Sequence, residues 1–367
     1  MTLPEQERRA RIRLARSNGI GPVGFAQLLA AHESAVAACA ELLDRGRPLC
    51  SETAVEREME AARRLGARHL LLGDGDYPPL LAELADPPPL LVVLGDGALA
   101  HRPVVAMVGA RNASTAGRKL ARHLAMDLGA AGWVVASGLA RGIDGAAHQG
   151  ALSTGTIGCV AGGVEIAYPP EHAELQARIA AEGLLLSELP PGTEPQARHF
   201  PRRNRLIAGI ARGLVLVEAA NGSGSMITAR LAGEGGREVM AVPGHPADPR
   251  SKGGNRLIRD GATLVESAED VLAVLSPFAL SAAASAPRPR LSPHCQPALP
   301  LQPRPVGRPP ESGADALLSL LSVEGVALDE LVRGSGLSAA EVQARLTDLE
   351  IEGKVARLGG GRVGRLP

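Results

Sequence analysis

The chain has 367 residues, 45% hydrophobic but only 2% aromatic, and its 39 basic side chains balance its 39 acidic ones. That length suits two or three domains with a core of Ala, Val, Leu and Ile, and the balance excludes a protein-wide basic field, so a polyanion must be met by a local patch. Cys39, Cys50, Cys159 and Cys295 form no CxxC pair and no metal-ligand spacing with histidine; the expectation is reduced thiols and no metal.

The first residues, MTLPEQERRARIRLARS, are charged and lack the apolar core of a signal peptide. No uninterrupted run of about 18 apolar residues occurs, so a cytoplasmic protein without a membrane span is expected. Residues 1–70 read as a helical domain, with Leu14, Ile20, Phe25, Leu28 and Leu29 at helical spacing around a Gly19-Ile20-Gly21-Pro22 turn. Pro22 fits the first turn of a helix. The turn has the look of a helix-hairpin-helix or SAM-like module, whose amides can meet a phosphate, and equally of a plain helix–helix turn.

Residues 77–96 carry proline clusters around a short helix and a strand at Leu90–Leu94, a connector into the main domain. From Pro103 to Val274, apolar runs at 104–109, 133–137, 157–161, 183–187, 214–218 and 239–243 alternate with helical stretches such as 115–129 and 170–181. Nearly continuous apolar strands are those covered on both faces. The pattern predicts an α/β, Rossmann-like, doubly wound and mostly parallel sheet over 71–275, with ligands at the carboxyl ends of its strands. Residues 276–312 are proline-dense and predict a linker. Residues 313–367 combine a capping box at Ser338–Glu341, a helix face at Val342, Leu346 and Leu349, and a hairpin from Lys354 to Val363, which together fit a winged helix.

Three glycine-rich turns follow predicted strands. In Gly109-Ala110-Arg111-Asn112-Ala113-Ser114, Ser114 can cap the next helix or bond a phosphate, and the helix N-terminus attracts anions. Arg111 stands where a dinucleotide fingerprint needs its second glycine, which argues against NAD and leaves no cofactor predicted. Ser137-Gly138-Leu139-Ala140-Arg141-Gly142-Ile143-Asp144 places Asp144 and His148 four residues apart; capping or structural pairing is the expectation, because no nucleophile stands near them. Gly222-Ser223-Gly224-Ser225 again offers amides and hydroxyls to a phosphate.

The strongest signal is Arg198, His199, Arg202, Arg203, Arg205 and Arg212, with no acidic residue between Glu194 and Glu218. Guanidinium groups without interleaved acids predict a positive patch suited to phosphate. Phe200 within it is open to two uses, stacking on a base or anchoring the packing.

Read together, Val108–Ser114, Ser137–Asp144 with His148, Phe200–Gly209, Gly222–Ser225 with Thr228 and Ala229, and Val242-Pro243-Gly244 followed by Asn255–Ala262 resemble the DprA/Smf family of DNA-processing proteins. Tyr77-Pro78 and Asp86-Pro87-Pro88 match its connector. The resemblance implies a non-enzymatic protein that binds single-stranded DNA, loads RecA, protects incoming DNA during natural transformation and forms a homodimer through the Rossmann-like domain. By motif position, Arg111, Arg203, Asn204 and Arg205 carry over as DNA contacts, joined by Ser114, Arg202, Gly222, Ser223, Gly224 and Ser225. Gly222 departs from the family pattern, which often has Lys or Arg there, and so puts one phosphate contact in doubt. Arg203→Ala and Arg205→Ala are then expected to weaken binding and flatten its salt dependence. Two alternatives stay open: a nucleotide hydrolase with Glu218 as its acid, and a transcription regulator acting through Gln343, Arg345 and Thr347 of the winged helix.

Overall fold

The computed structural model describes residues 3–275, the segments 326–335, 355–358 and 362–365, and helical positions 342, 346 and 349. The predicted linker over 276–312 and the capping box at Ser338–Glu341 lie outside the described residues. The chain divides into two compact units, Met1–Arg288 and Pro289–Pro367.

Four helices open the first unit: α1 (Glu5–Arg16), α2 (Pro22–Ala31), α3 (Ala35–Asp44) and α4 (Glu52–Arg64). Gly19, with φ of +79°, turns the chain between α1 and α2, and Pro22 opens α2 as the spacing predicts. Ser34 and Ser51 cap α3 and α4 by accepting bonds from the backbone amides of Ala37 and Ala54. Leu14, Phe25, Ala38 and Leu42 fill the core of this helical part, while Ile12 turns instead toward Val55, Leu71 and Leu90. Ion pairs tie α1 down at both ends, Arg8 to Asp74 at 3.0 Å and Arg16 to Glu58 at 2.8 Å.

The helical reading of residues 1–70 runs slightly too far. Residues Arg68–Leu71 form a strand, β1, too short for its apolar side chains to show a period. It pairs antiparallel with β2 (Leu90–Gly95), and the short helix α5 (Pro79–Ala82) lies between them in the chain.

The remaining strands are β3 (Val104–Val108), β4 (Val134–Ser137), β5 (Thr156–Cys159), β6 (Leu184–Ser187), β7 (Gly213–Leu216), β8 (Glu238–Ala241) and β9 (Thr263–Leu264). The nine form one sheet in the order β1-β2-β6-β5-β4-β3-β7-β8-β9. Pairing is parallel from β6 through to β9 and antiparallel only at β1–β2 and β2–β6. From β3 the chain winds outward through β4, β5 and β6, then returns to β7 on the other side. The predicted doubly wound, mostly parallel sheet is therefore present, and its switch point lies between β3 and β7.

Alternation along the strands divides the core. Val104, Ala106 and Val108 face α9 (Phe200–Ile210) and α10 (Gly224–Glu234). Val105 and Met107 face α6 (Thr115–Ala130), α7 (Ile143–Ala151) and a helix that begins at residue 268. Leu185 and Val92 pack with Leu175 and Ile179 of α8 (Ala173–Glu182). A further helix, α11 (Lys252–Arg259), precedes β9.

In the second unit, β10 (Val326–Ala327), α12 (Leu328–Ser335), β11 (Val355–Leu358) and β12 (Arg362–Arg365) form a winged helix. Its hairpin register pairs Leu358 with Arg362, and Val342, Leu346 and Leu349 are buried together with Leu331, Val355 and Val363.

Candidate nucleic-acid interface

The three glycine-rich turns do lie at the carboxyl edge of the sheet, but they are not equivalent. The turn after β3 reaches α6, and Ser114 caps that helix by accepting from the Gly117 amide at 2.8 Å. The Ser114 hydroxyl donates to Glu218 at 2.6 Å, and its amide donates to the same carboxylate at 2.8 Å. A Cβ on Gly117 would lie 2.5 Å from that carboxylate, so glycine is required for its approach. The anion-attracting end of α6 is thus already filled, by the protein's own acid. Ser114, expected to bond a phosphate, has both donors engaged. Glu218 organises this first turn, rather than the Gly-Ser turn beside which the sequence places it. Glu218→Ala is expected to cost about 1–2 kcal/mol by freeing the turn; a denaturant midpoint matching the wild type would refute this role.

The second turn is a bed for an arginine. Asp144, at the start of α7, accepts from the amides of Gly138 at 3.2 Å and Ala140 at 3.4 Å. Arg203 enters from α9, with a nitrogen 3.7 Å from the Asp144 carboxylate. Both side chains are 6% exposed. Burial raises the Asp144 carboxyl and lowers the Arg203 guanidinium, each against the attraction between them. A Cβ at Gly138 would fall 1.2 Å from the Arg203 Nη1, so this glycine makes room for the guanidinium. Leu139 takes the left-handed conformation, φ +58°, to close the turn.

Asp144, expected to cap or to pair structurally, holds the turn amides and Arg203 and makes no bond to His148 among the described residues. His148 instead bonds Thr156 at 2.8 Å beneath the sheet edge, and Thr156 donates onward to the Val135 carbonyl. Cys159, at the carboxyl end of β5, is fully buried as well, its thiol pushed up to about 12 by burial. So raised, that thiol is not set as a nucleophile.

The third turn is open. Gly222 has φ of +74° and leads into α10, whose first residues Gly224 and Ser225 carry amides with no described partner. Ser223 and Ser225 bond only each other through their hydroxyls, at 2.9 Å. Among the described residues no carboxylate bonds this helix end, in contrast to α6.

The arginine cluster is sorted by α9. Arg203, Leu206, Ile207 and Ile210 follow the i, i+3, i+4, i+7 rule and form its buried face. Arg202 stays exposed, with no ion pair among the described residues. Asn204 reaches the Gly224 carbonyl at 3.5 Å, the outer limit of a hydrogen bond. Arg205 bonds Glu188 at 2.9 Å and the side chain and carbonyl of Asp86, locking the proline-rich connector onto α9. Arg212 precedes β7 and so stands at the opposite edge of the sheet. The expectation of an uncompensated cluster is therefore corrected. Asp86 and Asp144, far away in sequence, and Glu188, 17 positions from Arg205, pair with Arg203 and Arg205 once the chain folds.

What remains at the edge is a groove with an aromatic centre. Phe200 and the half-exposed Tyr168 meet at 5.5 Å between ring centroids. The Arg111 and Arg203 guanidinium groups each lie 5.6 Å from the Phe200 ring centroid, within cation–π range. On one side Tyr168, Arg141 and Gly162 line a hollow of about 140 Å³. On the other, Gly109, Asn204, Gly224 and Ser225 line a hollow of about 210 Å³ at the switch point. Arg111, Ala140, Phe200 and Arg203 border both. Sequence reasoning missed Tyr168. One of only two tyrosines, it stands in a Tyr-Pro-Pro segment, and that rarity was the available signal.

Comparison with known proteins places this arrangement. Residues 68–276 match the family described as DNA recombination-mediator protein A, residues 5–61 a DprA-like N-terminal HHH domain and residues 301–361 a DprA winged helix domain. Protein Smf of Synechocystis is 36% identical over 329 residues, covering 84% of this chain and 82% of its own. The crystal structure of DprA from Streptococcus pneumoniae superposes with a TM-score of 0.62 at 32% identity, over 74% of this chain and 98% of that one. A structure of Helicobacter pylori DprA, described for its single-stranded DNA binding mode, superposes with a TM-score of 0.53 at 29% identity, over 58% of this chain and 96% of that one. On fold, motifs and likeness together, the chain belongs to the DprA/Smf family of DNA-processing proteins.

Proposed function

We propose that the chain is a non-catalytic mediator of recombination that binds single-stranded DNA, loads RecA onto it, and so protects incoming strands during natural transformation in the cytoplasm, acting as a homodimer through its Rossmann-like domain. The observation that carries the DNA reading is the groove itself. An aromatic pair bordered by Arg111 adjoins an open helix N-terminus at the sheet's switch point. Rings offer sequence-independent stacking surfaces to bases, and free amides with guanidinium groups suit phosphates. The Helicobacter relative described as binding single-stranded DNA supports the same reading.

In this reading Arg111 and Arg202 touch the strand directly, with Asn204 and the Gly222–Ser225 turn. Arg203, Arg205 and Ser114 are positioning residues. The engagement of both Glu218 oxygens by Ser114 counts against the hydrolase alternative, which needs that acid free.

Fluorescent oligothymidylate titrated at several salt concentrations tests the proposal. Arg111→Ala and Arg202→Ala are each expected to weaken binding and lower the slope of log K against log salt by about 0.7. Unchanged slopes in both, or a preference for duplex, would overturn it. Stimulation of RecA strand exchange reads the second half of the proposal.

A further inference from the structure

The groove does not stop at α10. The hollow at the switch point shares Pro201 and Ile227 with a larger cleft of about 520 Å³, within the roughly 300–1,000 Å³ range of ligand sites. One wall of this cleft is α9 and α10. The other is the turn between α1 and α2, through Ile20, Gly21 and Pro22. Three hollows therefore form one continuous track, from Tyr168 past Phe200 and Ser225 to the helical part of the unit.

The charge of the cleft is not what its list of residues suggests. Its two acids, Asp86 and Glu188, are both held by Arg205. Arg16 is held by Glu58. Two cations are left over: Arg202, with no ion pair among the described residues, and Arg230, 69% exposed and only 3.5 Å from Glu234 of its own helix. Such an exposed pair is worth little and yields readily to another anion. Beneath them lies apolar surface, including Ile227, which is 41% exposed. Loose cations above an aliphatic floor, continuous with an aromatic groove, suit the next stretch of a strand already bound there.

We propose that single-stranded DNA leaving the switch-point groove crosses the Pro201–Ile227 ridge and enters this cleft, so that the α1–α2 turn forms a second segment of the binding site. The inference rests on the single-stranded DNA reading above. It makes binding depend on length: a short strand fills the sheet-edge groove, and only a longer one reaches Arg230 and the turn.

The test uses the full chain with fluorescent oligothymidylates of about six and about twenty nucleotides, since one binding module covers roughly 4–16. Arg230→Glu is expected to weaken binding of the long strand about tenfold or more and leave the short one unchanged. A photoreactive base at either end of the long strand is expected to crosslink to residues 19–22. Equal effects of Arg230→Glu on both lengths, no effect on either, or crosslinks confined to α9 and α10 would overturn the extension. Failure of the wild type to bind either length would instead overturn the underlying DNA reading.

Discussion

Arg203→Ala is expected to destabilise the protein by about 3–5 kcal/mol, the usual cost of leaving a buried charge without its partner. Asp144 is 6% exposed and would keep only the amides of Gly138 and Ala140. The space above Gly138 that the guanidinium fills would empty as well. Asp144→Asn in the same chain should recover a large part of the loss, because the orphaned charge goes with it. The folded fraction of Arg203→Ala is expected to keep the wild-type salt slope on single-stranded DNA, since a buried side chain releases no counterion when a phosphate binds. This reverses the expectation drawn from sequence. Denaturant unfolding and salt titration on one preparation decide it: a loss below about 1 kcal/mol together with a flattened slope would make Arg203 a phosphate contact after all.

The second large effect is on acid stability and belongs to His148. The ring is fully buried, with Nδ1 facing Thr156. The Thr156 hydroxyl gives its own proton to the Val135 carbonyl, so its oxygen accepts from Nδ1. Burial, reinforced by the neighbouring His172 and Arg203 and opposed by the Ser137 backbone, lowers His148 from 6.5 to about 3. Below pH 6.5 the unfolded chain takes up a proton that the folded chain refuses. Stability from this residue is complete above 6.5 and falls with pH until about 3. One proton corresponds to about 1.4 kcal/mol per pH unit, or about 2 kcal/mol between pH 6.5 and 5. His148→Gln removes the titration, and its unfolding free energy should decline less steeply over that window. Parallel curves for the two proteins would show that His148 carries no such linkage.

Much of the architecture could be read directly from residue order. The apolar runs that became β3 to β8 are short and nearly continuous, as strands covered on both faces must be, and a glycine-rich turn follows three of them. Pro22, the winged-helix hairpin and the face made by Val342, Leu346 and Leu349 also obey local rules of turn chemistry and spacing. Even the inward direction of Arg203 was present, in its spacing from Leu206, Ile207 and Ile210. Local order also marks the open end of α10 through Gly222, whose positive φ a glycine meets without strain.

Tertiary structure alone decided which charges are spent and which are left. Arg205 meets Asp86, which is 119 positions away, and Ser114 meets Glu218 across 104 positions. A charge interacts through space, so the acids nearest in sequence say little about those nearest in the fold. The same long-range pairings fill the α6 end with Glu218, leave the α10 end free, and set Tyr168 against Phe200. Sequence by itself determined the sheet, its turns and the family; only the folded chain determined that Arg203 and Arg205 are paired to acids while Arg202 stays exposed, because burial and pairing are properties of neighbours that the order of residues does not list.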